Sequence, residues 1–278
     1  MSSKKKVKLW WWEPENGTSN FGDALSPYIV QKVSGKEVVK ADLSQRKLFS
    51  FEEIYFAIGS ILHRIPTASR LSLYSKKTNV WGSGIVGEKS YVQEANFYAV
   101  RGPKTRAKLL KLGYKVPEVY GDPALLLPRF YYPETPKKYA YGIIPHYVDY
   151  EFVKSHLKCS NVLVINLLES IETVVKDILS CDRTISSSLH GVIVSHAYGI
   201  PSIWSIFSDK VYGEGFKFHD YFESVGIKDG RGTPMNNQDL NSLTGEKLNK
   251  IFGKLERIAL PKIDLDELLN KLLENKPF

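Results

Sequence analysis

The sequence predicts an α/β fold built on mainly parallel sheets, and three observations carry that prediction. Short apolar runs alternate with glycine or polar turns and then helical segments along most of the chain, the pattern of strands joined by crossover helices. A proline- and lysine-rich stretch over residues 128–138 interrupts the alternation, which then restarts. The chain therefore reads as two α/β halves joined near residue 133, with a cleft between them. In the second half, Thr184-Ile-Ser-Ser-Ser-Leu-His190-Gly191 leads into an apolar helical segment, then Gly199-Ile-Pro201 and a further apolar run. Strand, turn, helix and strand in that order put His190 at the carboxyl end of a strand, where open α/β sheets bind ligands.

The elements follow in order. Residues 7–12 read as a buried first strand, and a loop of turn formers runs on to Asn20. A helix extends from about Gly22 to Gly35. Residues 54–58 stop at Gly59-Ser60, residues 79–81 at Gly82-Ser83-Gly84, and residues 96–100 at Arg101-Gly-Pro103, with a basic helix to about Leu112. Residues 118–120 stop at Gly121-Asp122-Pro123. Turn after turn thus carries a polar residue at a strand's carboxyl end: Asn20, Ser60, Ser83, Arg101 and Asp122. The second half opens with a strand ending at Pro145-His146, then a helix near 150–157, a strand at 162–165 and a helix at 170–179. From about Thr244 to Leu273 the chain reads as amphipathic helix, with Leu265, Leu268, Leu269, Leu272 and Leu273 at helical spacing, packed on the body. The expected division is an N-terminal unit of residues 1–132, a C-terminal unit of 133–255 and a terminal helix over 256–278.

A chain of 278 residues, 43% hydrophobic and 24% charged, has the material for a sizeable core and is not a disordered one. Its two cysteines, Cys159 and Cys181, lack zinc-ligand spacing and make no disulfide framework, the usage of a reduced, intracellular protein. No signal peptide or membrane-length apolar run is expected, so the expected location is cytoplasmic. A net charge of +8 favours anionic partners. Beyond Lys4-Lys5-Lys6 the basic residues are scattered, and no RNA-binding motif appears, so nucleic acid is not an expected partner. No Asp-x-Asp motif or His/Cys cluster calls for a metal.

The chemistry concentrates at His190. A histidine at a helix start, beside free backbone N–H groups, suits acid catalysis on a phosphorylated substrate. Taken in order, Asn20-Phe-Gly22-Asp23, Gly59-Ser60-Ile-Leu62, Trp81-Gly-Ser-Gly84, Val100-Arg101-Gly-Pro-Lys-Thr105, Gly121-Asp-Pro-Ala124 and Ser188-Leu-His190-Gly191 resemble the polysaccharide pyruvyl transferases, over about residues 7–225. The resemblance implies two Rossmann-like domains facing a cleft, as in GT-B glycosyltransferases. It also implies transfer of pyruvate from phosphoenolpyruvate, with no further cofactor, to a sugar of a polysaccharide or of its polyprenyl-diphosphate-linked precursor, giving a pyruvate ketal.

By that resemblance His190 is the acid or the residue that stabilises developing charge, and Arg101 is a guanidinium fork for carboxylate or phosphate, or else an interdomain salt bridge. Asp23 is a base for the incoming hydroxyl, or a helix cap. Ser187, Ser188, Gly191, Lys210 and Lys217 are donor-site candidates, the lysines having an ordinary surface role as the alternative. Asn20, Gly22, Ser60, Ser83 and His146 are candidates on the acceptor side, where Asn20 and Gly22 shape a turn. His196 falls on the apolar helix and reads as a core histidine. Several family members carry arginine two residues before the motif histidine. Ser188 stands there in this chain, so hydroxyls, free amides, Lys210, Lys217 or Arg183 must meet the donor's charge. A lipid-linked acceptor would bring peripheral membrane contact, with Lys4 to Lys8 as the basic element. A nucleotide-sugar glycosyltransferase on the same scaffold is the competing enzyme reading, and a noncatalytic polysaccharide or nucleic-acid binder is the third.

Overall fold

The computed structural model describes residues 6–13, 20–43, 52–66, 77–211, 213 and 215–278. Its frame is two five-stranded parallel sheets. The first contains β1 (Val7–Trp10), β2 (Val38–Lys40), β3 (Ile54–Phe56), β4 (Thr78–Trp81) and β5 (Asn96–Ala99), in the order β2-β1-β3-β4-β5. The second contains β6 (Tyr139–Ile144), β7 (Val162–Val164), β8 (Cys181–Ser186), β9 (Ser202–Ile206) and β10 (Thr233–Pro234), in the order β10-β9-β8-β6-β7. Counted from its own first strand, the second sheet repeats the order of the first. In each, the connections turn to opposite sides between the first and third strands, which opens a crevice at their carboxyl ends.

The helices are α1 (Phe21–Ser34), α2 (Pro103–Lys111), α3 (Tyr150–His156), α4 (Ile171–Leu179), α5 (Leu189–Ala197), α6 (Phe216–Ser224), α7 (Asn237–Asn241), α8 (Gly245–Leu255) and α9 (Leu265–Glu274). Their ends follow local chemistry. Asn20 caps α1 by accepting from the Asp23 amide, and Gly35 closes it in the left-handed conformation at φ 64°. Pro103 opens α2, where a missing N–H costs nothing.

Alternation along the first sheet sends side chains to two apolar clusters. Leu9 and Tyr55 join a large core that runs on into the second half through Ile143, Ile185, Val192 and Trp204. Phe56, Val80, Phe97 and Leu109 form a smaller cluster on the opposite face. The last helices cross back to the first sheet. The Trp81 indole donates to the Leu272 carbonyl at 2.8 Å, and the Phe278 ring packs against Trp81 and Tyr55.

Three expectations need correction. Residues 118–120 are not a strand; only Tyr120 makes a bridge, to Val100, because the chain turns at once into Gly121. The terminal amphipathic stretch is not one helix. It breaks into α8, a 3₁₀ turn (Glu256–Ile258) and α9 around Pro261, whose ring cannot continue a helix. The short edge strands β2 and β10, and helices α6 and α7, were not anticipated.

One buried carboxylate ties a helix of the second half to the start of α2. Asp220, on α6, is wholly buried and reaches the start of α2. Its Oδ1 accepts from the Thr105 amide at 2.8 Å. Its Oδ2 accepts from the Thr105 hydroxyl at 2.7 Å and from Arg101 Nε at 3.0 Å. Gly102 makes the approach possible, since a Cβ there would lie 1.9 Å from the Asp220 carbonyl oxygen. Removing one partner of such a pair strands a buried charge and costs about 3–5 kcal/mol. Asp220→Ala is therefore expected to lower the free energy of unfolding by about that amount, measured in guanidinium chloride; a shift under about 1 kcal/mol would show that the contact contributes no more than an exposed pair.

Candidate functional site

Sheet order decides which loops meet. In the first sheet, the loop after β1 leads into α1, bringing Asn20, Gly22 and Asp23, and β3 is followed by Gly59-Ser60. In the second, β6 is followed by Pro145-His146, and β8 by Ser187, Ser188 and His190 at the start of α5. Two of these loops meet at Gly22, where a Cβ would lie 2.2 Å from His190 Nδ1. Gly22 sits inside α1 rather than in a turn, so its use differs from the expected one. It lets an imidazole from the other half rest on the helix backbone.

Four titratable groups gather here. Asp23 is pushed up from 3.8 to about 6, chiefly by burial, against the opposing pull of His190 and of its bond from the Asn20 side-chain amide. Asn20 thus both caps α1 and holds the carboxylate, so Asp23 is not the cap itself. Lys217, in the first turn of α6, is lowered to about 8 by burial and then by the nearby Arg101 charge, with Asp23 opposing. His146 is lowered to about 4 by burial, Lys217 and His190, so it is neutral near pH 7. Its amide donates to Ser187 Oγ at 2.8 Å, tying the β6 and β8 loops together. His190 completes the set, with its side chain 14% exposed and Nε2 3.6 Å from Asp122 Oδ2. Carboxylate, ammonium and two imidazoles in mutual electrostatic reach, two near neutrality, are equipment for moving protons and holding an anion.

The helix start adds a further element. Ser188 is the N-cap residue of α5 but its side chain takes no helix N–H. Its own amide is held by Ser186 Oγ at 3.0 Å. The first turn of α5 thus keeps its amides without a side-chain cap, facing the same junction, and the helix dipole favours an anion there.

Other candidates are placed differently. Arg101 is wholly buried and its guanidinium is spent inside the protein: Nε on Asp220, Nη1 on Ser60 Oγ at 2.5 Å, and Nη2 on the Ile85 carbonyl at 2.8 Å. The expected fork open to a ligand is absent because that buried fold contact takes it, the interdomain alternative. Ser60 is therefore oriented by Arg101. Ser83 is buried and donates to the Ala57 carbonyl at 2.8 Å, so it shapes a turn and offers nothing to an acceptor. Gly191 is packed under α5, where a Cβ would meet Ser186 Oγ at 2.4 Å, so it serves helix–sheet contact. Lys210 is exposed, and only its amide is engaged, by Ser208. Arg183 lies against Tyr141 and the Phe252 ring instead of the junction. His196 is buried between the Tyr221 hydroxyl (3.0 Å) and the Ser202 carbonyl (3.3 Å), the expected core histidine.

Asp122 was marked in the sequence as a polar strand-end residue within a family motif but was given no chemical role, and Asp220 was given none. Among the described residues, no three His, Cys, Asp or Glu side chains are grouped to hold a metal ion. None of the helices described is long and apolar enough to cross a membrane. Lys4 and Lys5 lie outside the described residues, while Lys6 pairs with Glu37 and Lys8 with Glu52. A hollow of about 490 Å³ bordered by His219, Lys228, Arg231, Lys254 and Arg257 shares no residue with the cluster. Its lysines and arginines are exposed, and Arg257 is within 3.8 Å of Asp229, the pattern of a solvated surface.

The Gly22 contact has a direct consequence. Gly22→Ala is expected to displace the His190 ring while α1 stays intact, because alanine suits a helix and only the ring is in its way. A crystal structure of the variant with the ring unmoved would contradict that placement.

Comparison with known proteins adds a third line. A family model described as polysaccharide pyruvyl transferase matches residues 20–206. An uncharacterized protein of Acanthamoeba polyphaga mimivirus is 30% identical over 218 residues, 75% of this chain and 72% of the relative. The succinoglycan biosynthesis protein ExoV of Rhizobium meliloti (strain 1021) is 24% identical over 235 residues, 80% of this chain and 66% of the relative.

Proposed function

The chain belongs to the polysaccharide pyruvyl transferase family, and from that premise we propose that it moves pyruvate from phosphoenolpyruvate onto two hydroxyls of a sugar, closing a ketal. The observation that carries the reading is the electrostatic coupling of Asp23, His146, His190 and Lys217, drawn from both halves of the chain. The relative from Rhizobium meliloti, a succinoglycan biosynthesis protein, supports polysaccharide assembly as the setting. The acceptor is then a glycan or its lipid-linked precursor.

Phosphoenolpyruvate is an enol phosphate with a carboxylate. His190 gives a proton to its methylene carbon, and the adjacent carbon becomes electrophilic. The first sugar hydroxyl adds there and yields its proton to Asp23. The C–O bond to phosphate then breaks, and phosphate departs with the proton held by Asp23. The second hydroxyl adds to the resulting oxocarbenium, closes the ring and returns a proton to His190. Two hydroxyl protons are released, one restoring the acid and one leaving on hydrogen phosphate, so the cycle balances.

Charge has to be matched as well. Among the described residues, Lys217 makes no ion pair with a carboxylate, and its ammonium feels the charges of Arg101 and Asp23. We assign it to the donor phosphate, together with the uncapped amides of α5. This answers the serine at position 188: a lysine brought in by α6 supplies the positive charge that the family's arginine supplies elsewhere. Neutral His146 is suited to accept or donate a hydrogen bond to a sugar hydroxyl without adding charge.

Two tests follow. Incubation with phosphoenolpyruvate or with nucleotide sugars, read by mass spectrometry, is expected to give a pyruvyl increment and phosphate release; a hexose increment with nucleotide release would replace this reading with a glycosyltransferase. His190→Gln is expected to cut turnover by about 10²–10⁴-fold, the range for a positioned acid, with the thermal transition unchanged. The pH dependence of kcat/KM has a definite sign. Asp23 works as the carboxylate, present above its value of about 6. Lys217 works as the ammonium, present below about 8. The profile should fall on the acid side as Asp23 takes a proton, and on the alkaline side as the acid His190 and the Lys217 ammonium lose theirs. Lys217→Ala should raise the KM for phosphoenolpyruvate, and an unchanged KM in that variant would take Lys217 out of donor binding.

A further inference from the structure

Asp122 and His190 each bury a polar atom that has no hydrogen bond, and the two atoms face one another. Asp122 is wholly buried at the head of the 3₁₀ segment Pro123–Arg129. Its Oδ1 is used, accepting from the Ala124 amide at 3.0 Å. Its Oδ2 is buried with no partner, as is His190 Nε2, and they are 3.6 Å apart. Two such groups are costly to leave unsatisfied. An approach of roughly half an ångström would bring them to ordinary N–H···O distance and satisfy both.

We propose that Asp122 is a positioning residue for His190: it accepts the Nε2–H, fixes the imidazole in that tautomer, and leaves Nδ1 as the nitrogen that handles the substrate's proton. The inference rests on the pyruvyl-transfer reading for the identity of that proton, while the pairing itself rests on geometry alone. Nδ1 is the right atom by position. It lies over Gly22, beside Asp23 in the first turn of α1, whereas Nε2 is turned into the protein. The segment that carries Asp122 packs against both α1 and α5, so one rigid element sets the carboxylate relative to the imidazole and to the helix across from it. In the reaction, the Nδ1–H bond of the imidazolium breaks as the methylene C–H bond forms from the enol π electrons. The ring is left neutral with Nε2–H on Asp122, and Nδ1 is free to take a proton from the second hydroxyl. Asp122 remains ionised throughout and stabilises the imidazolium each time it re-forms, the division of labour of a His–Asp pair in acyl-transfer enzymes.

The test reads the tautomer directly. In full-length protein carrying ¹⁵N-labelled histidine, long-range ¹H–¹⁵N spectra distinguish protonated from bare ring nitrogens, and His190→Gln identifies the His190 signals among six histidines. The expected result for neutral His190 is Nε2 protonated and Nδ1 bare. Asp122→Asn keeps an oxygen for the Ala124 amide but turns an N–H toward Nε2. It should reverse the tautomer and lower kcat by about 10²–10⁴-fold, with the KM for phosphoenolpyruvate little changed. A bare Nε2 in the wild-type protein overturns the proposal without any variant having to fold, as does undiminished kcat in a folded Asp122→Asn. The two readings fail separately. A protonated Nε2 in a protein that transfers no pyruvate removes the reaction and keeps the pair; a bare Nε2 in an active pyruvyl transferase removes the pair and keeps the reaction.

Discussion

The buried carboxylate of Asp220 is the constraint on which the rest depends. It gathers the Arg101 guanidinium, the Thr105 hydroxyl and the first-turn amide of α2, all from the first half, onto a helix that follows the second sheet's fourth strand. A carboxylate so enclosed keeps its charge only if its donors stay put. That requirement fixes α6 against α2, and with it the position of Lys217, three residues earlier on the same helix. It also turns Arg101 inward, where it steadies Ser60 and lowers the affinity of Lys217 for its proton. The site's electrostatics and the joining of the two halves are therefore one arrangement.

The same economy appears at another contact between the halves. Gly22 presents bare helix backbone to His190, and the 3₁₀ segment after Asp122 touches both α1 and α5. Neither sheet builds a proton-handling site alone. The first supplies Asp23, Asn20 and Asp122; the second supplies His190, His146 and, through α6, Lys217. The contact between the halves brings Asp23, His190, His146 and Lys217 into electrostatic reach, and burial draws Asp23 and Lys217 toward neutrality from opposite directions.

Much of this was legible in the chain. Strand–turn–helix alternation located eight of the ten strands because each of those is an apolar run closed by glycine or a polar turn. β2 and β10, of three and two residues, are edge strands whose pairing comes from their neighbours rather than from pattern. His190, Asp23 and His146 were marked by their place at strand ends, and the backbone put them together. Arg101 and Ser83 were marked by the same rule and were buried instead, since a strand-end position says that a residue is near the crevice and not which way its side chain turns. Asp220 sits in an unremarkable aromatic helix, and nothing local announces a partner 119 residues away.

The sequence by itself determined eight of the ten described strands, the turns that close them and the family resemblance, because these depend on neighbours within a few residues and on motifs in fixed order. Only the tertiary structure decided which candidates come together, which nitrogen of His190 is buried toward Asp122, and which candidate side chains are engaged elsewhere. Those outcomes depend on burial and on charges brought together from distant positions, and neither desolvation nor a through-space partner is written in local composition.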